Sequence, residues 1–320
     1  MPNKTPVTLW ISSLLFALGS NVAHACEAPP TAVIDIEANR YYVDKHNSVI
    51  DPVLRARNIA AVKPIDNFLD AIAHTASNYQ VGPDKALADA QCSLSWMKSW
   101  ADQKALLGKM SSNQAFYQRK WTLGGLALSY AKLKPAASEA QRQSIESWLK
   151  ALADVTLEHS DANKGVRNNH YYWEGLAVTA VGAVTGDARY LQWGRKVFDH
   201  AMSQVAADGS LPLEMERAVK ALHYHLFAVT PLVMMASILD VQSPKLDQLV
   251  KFTLDGVADP SYIETKTGFT QERPHEPISW KAIYDRHISG PRSTRTPTNW
   301  QPRLGGDLNV ANPLEHVAAQ

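Results

Sequence analysis

Apolar residues recur at spacings of three and four along most of the chain beyond residue 50, the pattern of helices that bury one face. It predicts eight helices, over 53–79, 86–101, 116–133, 140–157, 169–184, 188–205, 216–239 and 246–257. Breakers separate them: Gly82-Pro83-Asp84, Pro135, Thr185-Gly186-Asp187, Ala207-Asp208-Gly209 and Ser243-Pro244. Ser138 stands where a helix beginning near Ala140 needs an N-cap. No stretch alternates long enough to predict a sheet. Connections this short place successive helices antiparallel, which fits either a bundle or an α/α barrel, an incomplete toroid of helical hairpins around a central groove. Two segments escape the pattern. Residues 28–51 are irregular, carry Arg40-Tyr41-Tyr42 and Lys45, and read as a loop able to cover a groove. The tail from Asp259 onward, rich in Pro, Thr and Arg, reads as loop wrapping the body.

Composition changes this picture at the N-terminus. Lys4, the apolar run from Val7 to Leu18 and the small-x-small triplet Ala23-His24-Ala25 predict an export signal over residues 1–25, which directs the protein to the periplasm or outside. The run is too short to span a bilayer, so no stable membrane span is expected after its removal. A lipoprotein is the weaker alternative, because Cys26 follows the cut but Ala23 stands where a lipobox favours Leu. Residues 26–320 are expected to form one domain, and a chain of 320 residues with 45% hydrophobic content can fill a large core. A monomer is expected.

Removing Lys4 lowers the formal charge from +1 to 0. A neutral mature chain is not a globally basic nucleic-acid binder. A polyanionic ligand would have to be met by cations gathered in a groove. The two cysteines, Cys26 and Cys92, are too few for a cysteine zinc site. In an oxidising compartment they are candidates for one disulfide, two free thiols being the alternative.

Two clusters carry candidate chemistry. In Arg167-Asn168-Asn169-His170-Tyr171-Tyr172-Trp173-Glu174, two amides, an imidazole and three aromatics crowd a helix start where Asn168 is a natural N-cap. A carboxylate brought there would meet amide donors and the positive end of the helix dipole; the plainer reading is a capped helix with a half-buried aromatic stripe. The pair His170 and Glu174 lacks the further ligands of a metal site, so neither metal nor cofactor is expected. In the second cluster, Glu214 to His225, Arg217 and Tyr224 stand seven residues apart, about 10.5 Å along one helical face. Lys220 lies between them; an ordinary Glu216–Lys220 pair is the plainer reading.

These side-chain types suit β-elimination from a 4-linked uronic acid. The proton at C5 is very weakly acidic beside an ionised carboxylate, so the charge must be masked by donors such as Arg, Asn and His. A base then takes the proton, and Tyr224 with its pKa lowered by Arg217 is a candidate. Returning that proton to the leaving O4 completes the acid–base cycle.

Taken together the segments resemble the alginate lyases of polysaccharide lyase family 5, the periplasmic mannuronate lyases. The resemblance is carried by Cys92-Ser93-Leu94-Ser95-Trp96-Met97-Lys98-Ser99-Trp100-Ala101, by Arg119-Lys120-Trp121, and by Asn168-Asn169-His170-x-Tyr172-Trp173. Leu211-Pro212 leading to Arg217, Ala221-Leu222-x-Tyr224-His225 and Arg303-Leu304-Gly305-Gly306 extend it. It implies an α/α barrel and an enzyme cleaving anionic polysaccharide, alginate and polymannuronate first, with polyglucuronate or other polyuronates as further substrates. It implies that Asn169, His170 and Arg217 neutralise the uronate while Tyr224 is base and acid. Substrate-binding candidates are Tyr42, Tyr117, Lys120, Trp173, His223 and Arg303, with Arg119 beside Lys120, and Arg40 or Lys45 as alternatives to Tyr42 in the lid. Two other functions remain open: a glycoside hydrolase using two of Glu174, Glu214, Glu216 and Asp208 across the groove, and a non-catalytic glycan-binding or export scaffold.

Overall fold

The computed structural model describes residues 1, 26–273, 278–289 and 299–316. Apart from Met1, the expected export signal lies outside the described residues. All eight predicted helices form: α1 (Pro52–Val81), α2 (Pro83–Asp102), α3 (Asn113–Leu133), α4 (Glu139–Ala162), α5 (Asn169–Thr185), α6 (Ala188–Gln204), then, beyond the short α7 (Pro212–Met215), α8 (Ala221–Leu239) and α9 (Pro244–Ala258). Local chemistry sets their starts. Asp51 accepts from the N–H groups of Val53 and Leu54, Ser138 and Gln141 cap each other reciprocally, and Asp187 and Ser243 cap α6 and α9.

The helices pack as two rows. An inner row runs α1–α3–α5–α8, and α2, α4, α6 and α9 back it from outside. This is the α/α barrel, and the rows differ as their positions demand. Inner α3, α5 and α8 are buried almost all round, every residue of α3 from Gln118 to Leu133 included, whereas α1, at the end of the row, buries one face. Outer α6 buries only a stripe, Tyr190, Gly194, Val197, Phe198, Ala201 and Met202. The segment Ala218–Leu239 is long and apolar enough to cross a membrane, but 89% of its most apolar 18-residue window is buried inside the protein, as befits an inner barrel helix.

Two expectations need correction. The helix predicted from residue 216 begins at Ala221, because Ala218 takes a left-handed φ of 49° and Ala218–Lys220 form a 3-10 turn. The tail is not all loop: it holds α10 (Ser261–Thr267), α11 (Lys281–Ser289) and a hairpin of β1 (Trp300–Gln301) with β2 (Gly306–Asp307). Elements of two to nine residues are too short to register as periodicity. The tail docks closely on the inner row. A Cβ on Gly125 would lie 2.5 Å from the Pro302 carbonyl oxygen, so only glycine admits this approach. Lys132 Nζ donates to the Gly305 carbonyl at 2.8 Å, and Gly305 and Gly306, at φ 85° and 103°, turn the chain sharply there. Cys26 and Cys92 are joined in a disulfide with Cα atoms 5.3 Å apart, fixing the start of the described chain to α2.

Candidate active site

A groove of about 1050 Å³ opens where the inner helices meet the 40–50 loop, the α7–α8 turn and the tail. Its charge is lopsided. Arg40, Arg55, Arg217, Lys220, Arg273 and Arg303 line it, against only Asp66 and Glu272. Both acids are engaged: Gln118 donates to Asp66 at 2.7 Å, and Glu272 pairs with Lys220. A chain of formal net charge only +1 has concentrated cations in one trough, which the charge argument required of a polyanion binder.

Tyr224 sits on the groove wall in the first turn of α8, and the Arg217 guanidinium lies 3.3 Å above its ring centroid. The straight-helix separation of about 10.5 Å does not apply, because the left-handed Ala218 folds Arg217 back over the phenol. The effect on the phenol is also not the expected one. Burial pushes the Tyr224 pKa far above the ordinary tyrosine range, and the Arg217 charge offsets only part of that. The phenol is therefore neutral, and a proton donor, while the groove is empty.

The 40–50 loop closes over this pair. Arg217 Nε donates to the His46 carbonyl at 2.9 Å and Nη2 to the Asn47 carbonyl at 3.3 Å, while Tyr224 Oη lies 3.5 Å from the latter. Asp44 braces the loop by accepting from the N–H groups of His46, Ser48 and Val49. Arg40 bonds the loop from within, to the carbonyls of Tyr42 and Asp44 and to Asn47 Oδ1. Tyr42 lines the groove with its ring centroid 6.5 Å from that of Tyr224. Lys45 is exposed and does not line it.

At the opposite wall Asn168 caps α5 by accepting from the His170 N–H at 3.2 Å. The His170 ring stacks on Tyr117 at 3.7 Å, and both face the groove. Burial and the nearby Lys120 and Arg217 hold the His170 pKa well below the usual histidine range, so the imidazole is neutral, with no partner at Nδ1. His223 and Arg303 also line the groove; Arg303 reaches it from the tail and lies 4.2 Å over Trp121.

Three sequence candidates stand elsewhere. Trp173 is 3% exposed, donates to the Phe227 carbonyl at 3.1 Å and is a core residue rather than a sugar platform. Trp121 and Phe227 line the groove instead. Lys120, 2% exposed, does not reach the groove: it pairs with Glu174 at 3.1 Å and donates to the His170 carbonyl at 2.8 Å. Arg119 is buried against the Val155 carbonyl. In each case the side chain lies on the turn of α3 or α5 that faces the core, a matter of helix rotation that composition does not reveal.

Asn169 is fully buried, one layer behind the wall. Its backbone N–H donates to Glu214 Oε1 at 2.9 Å, its Nδ2 lies 3.0 and 2.9 Å from the two Glu214 oxygens, and its Oδ1 has no partner. Glu214 thus fills the anion position that the start of α5 offers, a role the sequence did not disclose. Burial raises its pKa, against the opposing influence of the Asn169 N–H and of Arg217, whose Nη1 is 3.7 Å away. His225, equally buried, holds the turn that carries Glu214 by accepting from the Leu211 N–H at 2.9 Å. Glu216 is exposed and does not pair with Lys220. Asp208 is tied to Lys266 and Tyr262 at the surface. Among the described residues, the four acids considered for a hydrolase include none that lines the groove.

A helical barrel thus carries a cation-lined trough, with a phenol under a guanidinium on one wall and a neutral imidazole opposite, an arrangement suited to an anionic chain. The alginate lyase family profile matches residues 35–262. A polysaccharide lyase of Stenotrophomonas maltophilia is 39% identical over 95% of this chain and 96% of its own length. An alginate lyase of Pseudomonas fluorescens is 33% identical over 68% of this chain and 65% of its own. In fold the chain is similar to alginate lyase A1-III of Sphingomonas species A1 solved with a tetrasaccharide, at a TM-score of 0.75 and 24% identity over 88% of this chain and 84% of that one. The chain belongs to the alginate lyase family, and it is a polysaccharide lyase.

Proposed function

We propose that this enzyme is exported to the periplasm or beyond, where residues 26–320 act as one lyase domain on 4-linked uronate polymers. Alginate, and polymannuronate within it, is the first substrate, and polyglucuronate or related polyuronates are further ones. The observation that carries the reading is the Arg217–Tyr224 stack on the wall of a trough lined by six cations.

The substrate carboxylate displaces the His46 and Asn47 carbonyls from Arg217, since a charged acceptor bonds a guanidinium more strongly than a peptide carbonyl. His170, neutral, offers an N–H to the same carboxylate. Asn169 joins them when its amide turns so that Nδ2 faces the sugar, and a protonated Glu214 then donates to Oδ1. These donors favour the dianionic charge that develops as the C5 proton leaves. Tyr224 first releases its own proton to solvent and, as phenolate, takes the C5 proton; the C5 electrons form the C4–C5 double bond, the C4–O4 bond breaks, and the phenol returns the proton to O4. Tyr42 and Tyr117 flank the reacting sugar, His223 and Arg303 hold its neighbours, and Trp121, not the buried Trp173, supplies an apolar platform. No residue of this scheme calls for a metal or an organic cofactor.

The test is a panel of polymannuronate, polyguluronate, polyglucuronate and hyaluronate, followed by the ultraviolet absorbance of the unsaturated product. Turnover is expected on polymannuronate, with Tyr224→Phe lowering it at least ~10²-fold. Cleavage without an absorbing product would identify a hydrolase; binding without cleavage would identify a scaffold.

A further inference from the structure

At the end of α8 remote from the groove, three chain segments bring together a carboxylate and two imidazoles. Asp240 follows the last turn of α8, His287 lies in the last turn of α11, and His316 stands in the tail. One donor atom from each lies within 4.8 Å of the other two. None of the three lines the groove. Asp240 is sixteen residues beyond Tyr224, roughly 24 Å along a helix.

His287 is the most informative member. It is 6% exposed, and its Nε2 lies 2.8 Å from the Val241 carbonyl, an acceptor only, so that nitrogen carries the hydrogen. The other nitrogen, Nδ1, then holds a bare lone pair, and it is buried without a hydrogen-bond partner. An imidazole fixed by a backbone carbonyl on one nitrogen and open on the other is the arrangement metal-bound histidines adopt. The His316 ring lies nearly parallel at 5.6 Å, and its Nδ1 is 2.6 Å from Asp240 Oδ1. The backbone is held in place for this contact. Asp240 and His316 take left-handed φ values of 51° and 65°, and the His316 N–H donates to the Ser237 carbonyl at 2.7 Å.

We propose that Asp240, His287 and His316 bind one divalent transition-metal ion of the zinc class, with water as a fourth ligand, and that the ion clips α11 and the tail to the barrel. Two imidazoles and a carboxylate suit zinc, and the set is too poor in oxygen for calcium or magnesium. Donors around a tetrahedral zinc ion stand roughly 3.3 Å apart given bonds of about 2.0 Å. Binding therefore draws the donors inward, and Asp240 and His316 have the exposure to move. The ion replaces the hydrogen between His316 and Asp240 and supplies the partner that His287 Nδ1 lacks. Its role is structural, so turnover does not depend on it.

The experiment uses the untagged full chain stripped with a chelator, titrated with zinc ions alone by calorimetry and melted with and without zinc. Cobalt substitution reports the geometry. One equivalent is expected to bind, to raise the melting temperature by about 5 °C at a hundredfold excess over Kd, and to give the intense visible bands of four-coordinate cobalt. Asp240→Asn and His316→Ala, both at accessible positions, are each expected to weaken binding at least tenfold and to abolish the thermal shift, with lyase turnover unchanged. Absence of saturable binding, binding unaltered by either variant, or a weak six-coordinate cobalt spectrum would overturn the proposal. These readouts do not involve the groove, so failure here leaves the elimination scheme standing, and failure of that scheme leaves this site standing.

Discussion

The groove wall and the polar layer beneath it are built from the same helices, yet they handle charge in opposite ways. On the wall, Arg40, Arg55 and Arg303 and their neighbours outnumber the acids and face an open trough. One residue deeper, each charge has a dedicated partner: Lys120 has Glu174, and Glu214 has the Asn169 amide. Burying an isolated charge costs several kcal/mol, which pairing and hydrogen bonds must offset. The wall is spared most of that cost because water, or a polymeric carboxylate, reaches it. The deep layer orients, and the wall binds and reacts.

Substitutions can break that contrast, and the largest effect belongs to the wall. Tyr224→Phe is expected to lower kcat at least ~10²-fold on polymannuronate with little change in KM; near-normal turnover in the ultraviolet assay would remove Tyr224 from the chemistry. For Arg217→Ala we expect a loss of similar order in kcat/KM, because the same guanidinium serves the carboxylate and the phenol.

The deep layer supplies a sharper discrimination at Glu214. If Glu214 works protonated, Glu214→Gln keeps a donor for Asn169 Oδ1 and is expected to stay within about tenfold of wild type, whereas Glu214→Ala loses about 10²-fold. A Gln variant as poor as Ala would mean that the ionised carboxylate is needed. Lys120→Met leaves Glu174 unpaired and is expected to destabilise the fold by about 3 kcal/mol, read by denaturant unfolding.

The acid–base state gives a further test. Tyr224 has a raised pKa and must be ionised to act as base, so kcat/KM should climb with pH from 7 towards 10. His170, whose pKa is depressed, is already neutral through that range and adds no rise there. A profile falling above pH 7 would contradict this assignment. The smallest effect is expected from Arg303→Ala at the rim: KM severalfold higher, kcat nearly unchanged, and a weaker salt dependence of binding.

Periodicity determined the eight long helices to within a few residues at most ends, because a barrel of hairpins makes each helix amphipathic or wholly apolar and each turn needs a breaker. The irregular stretch 28–51 read as loop and Asn168 as a cap, while the family resemblance, not periodicity, joined His170, Arg217 and Tyr224 in one site. The short helices of the tail escaped, since a single turn carries no period. The side chains that stand behind the groove wall share one cause. Trp173, Lys120 and Asn169 are buried within a few residues of groove positions in sequence or on neighbouring turns, and only the rotation of α3 and α5 about their axes decides which residues line the trough.

What the chain determined by itself is therefore the set of helices, their order, and the chemical types gathered at two helix starts. Tertiary structure decided which members of that set meet. It folded Arg217 onto Tyr224 through a left-handed Ala218, put Glu214 under Asn169, and brought Asp240, His287 and His316 together from segments up to 76 residues apart. Those outcomes depend on distances between elements remote in sequence, and burial then sets the protonation of each group, which no local pattern encodes.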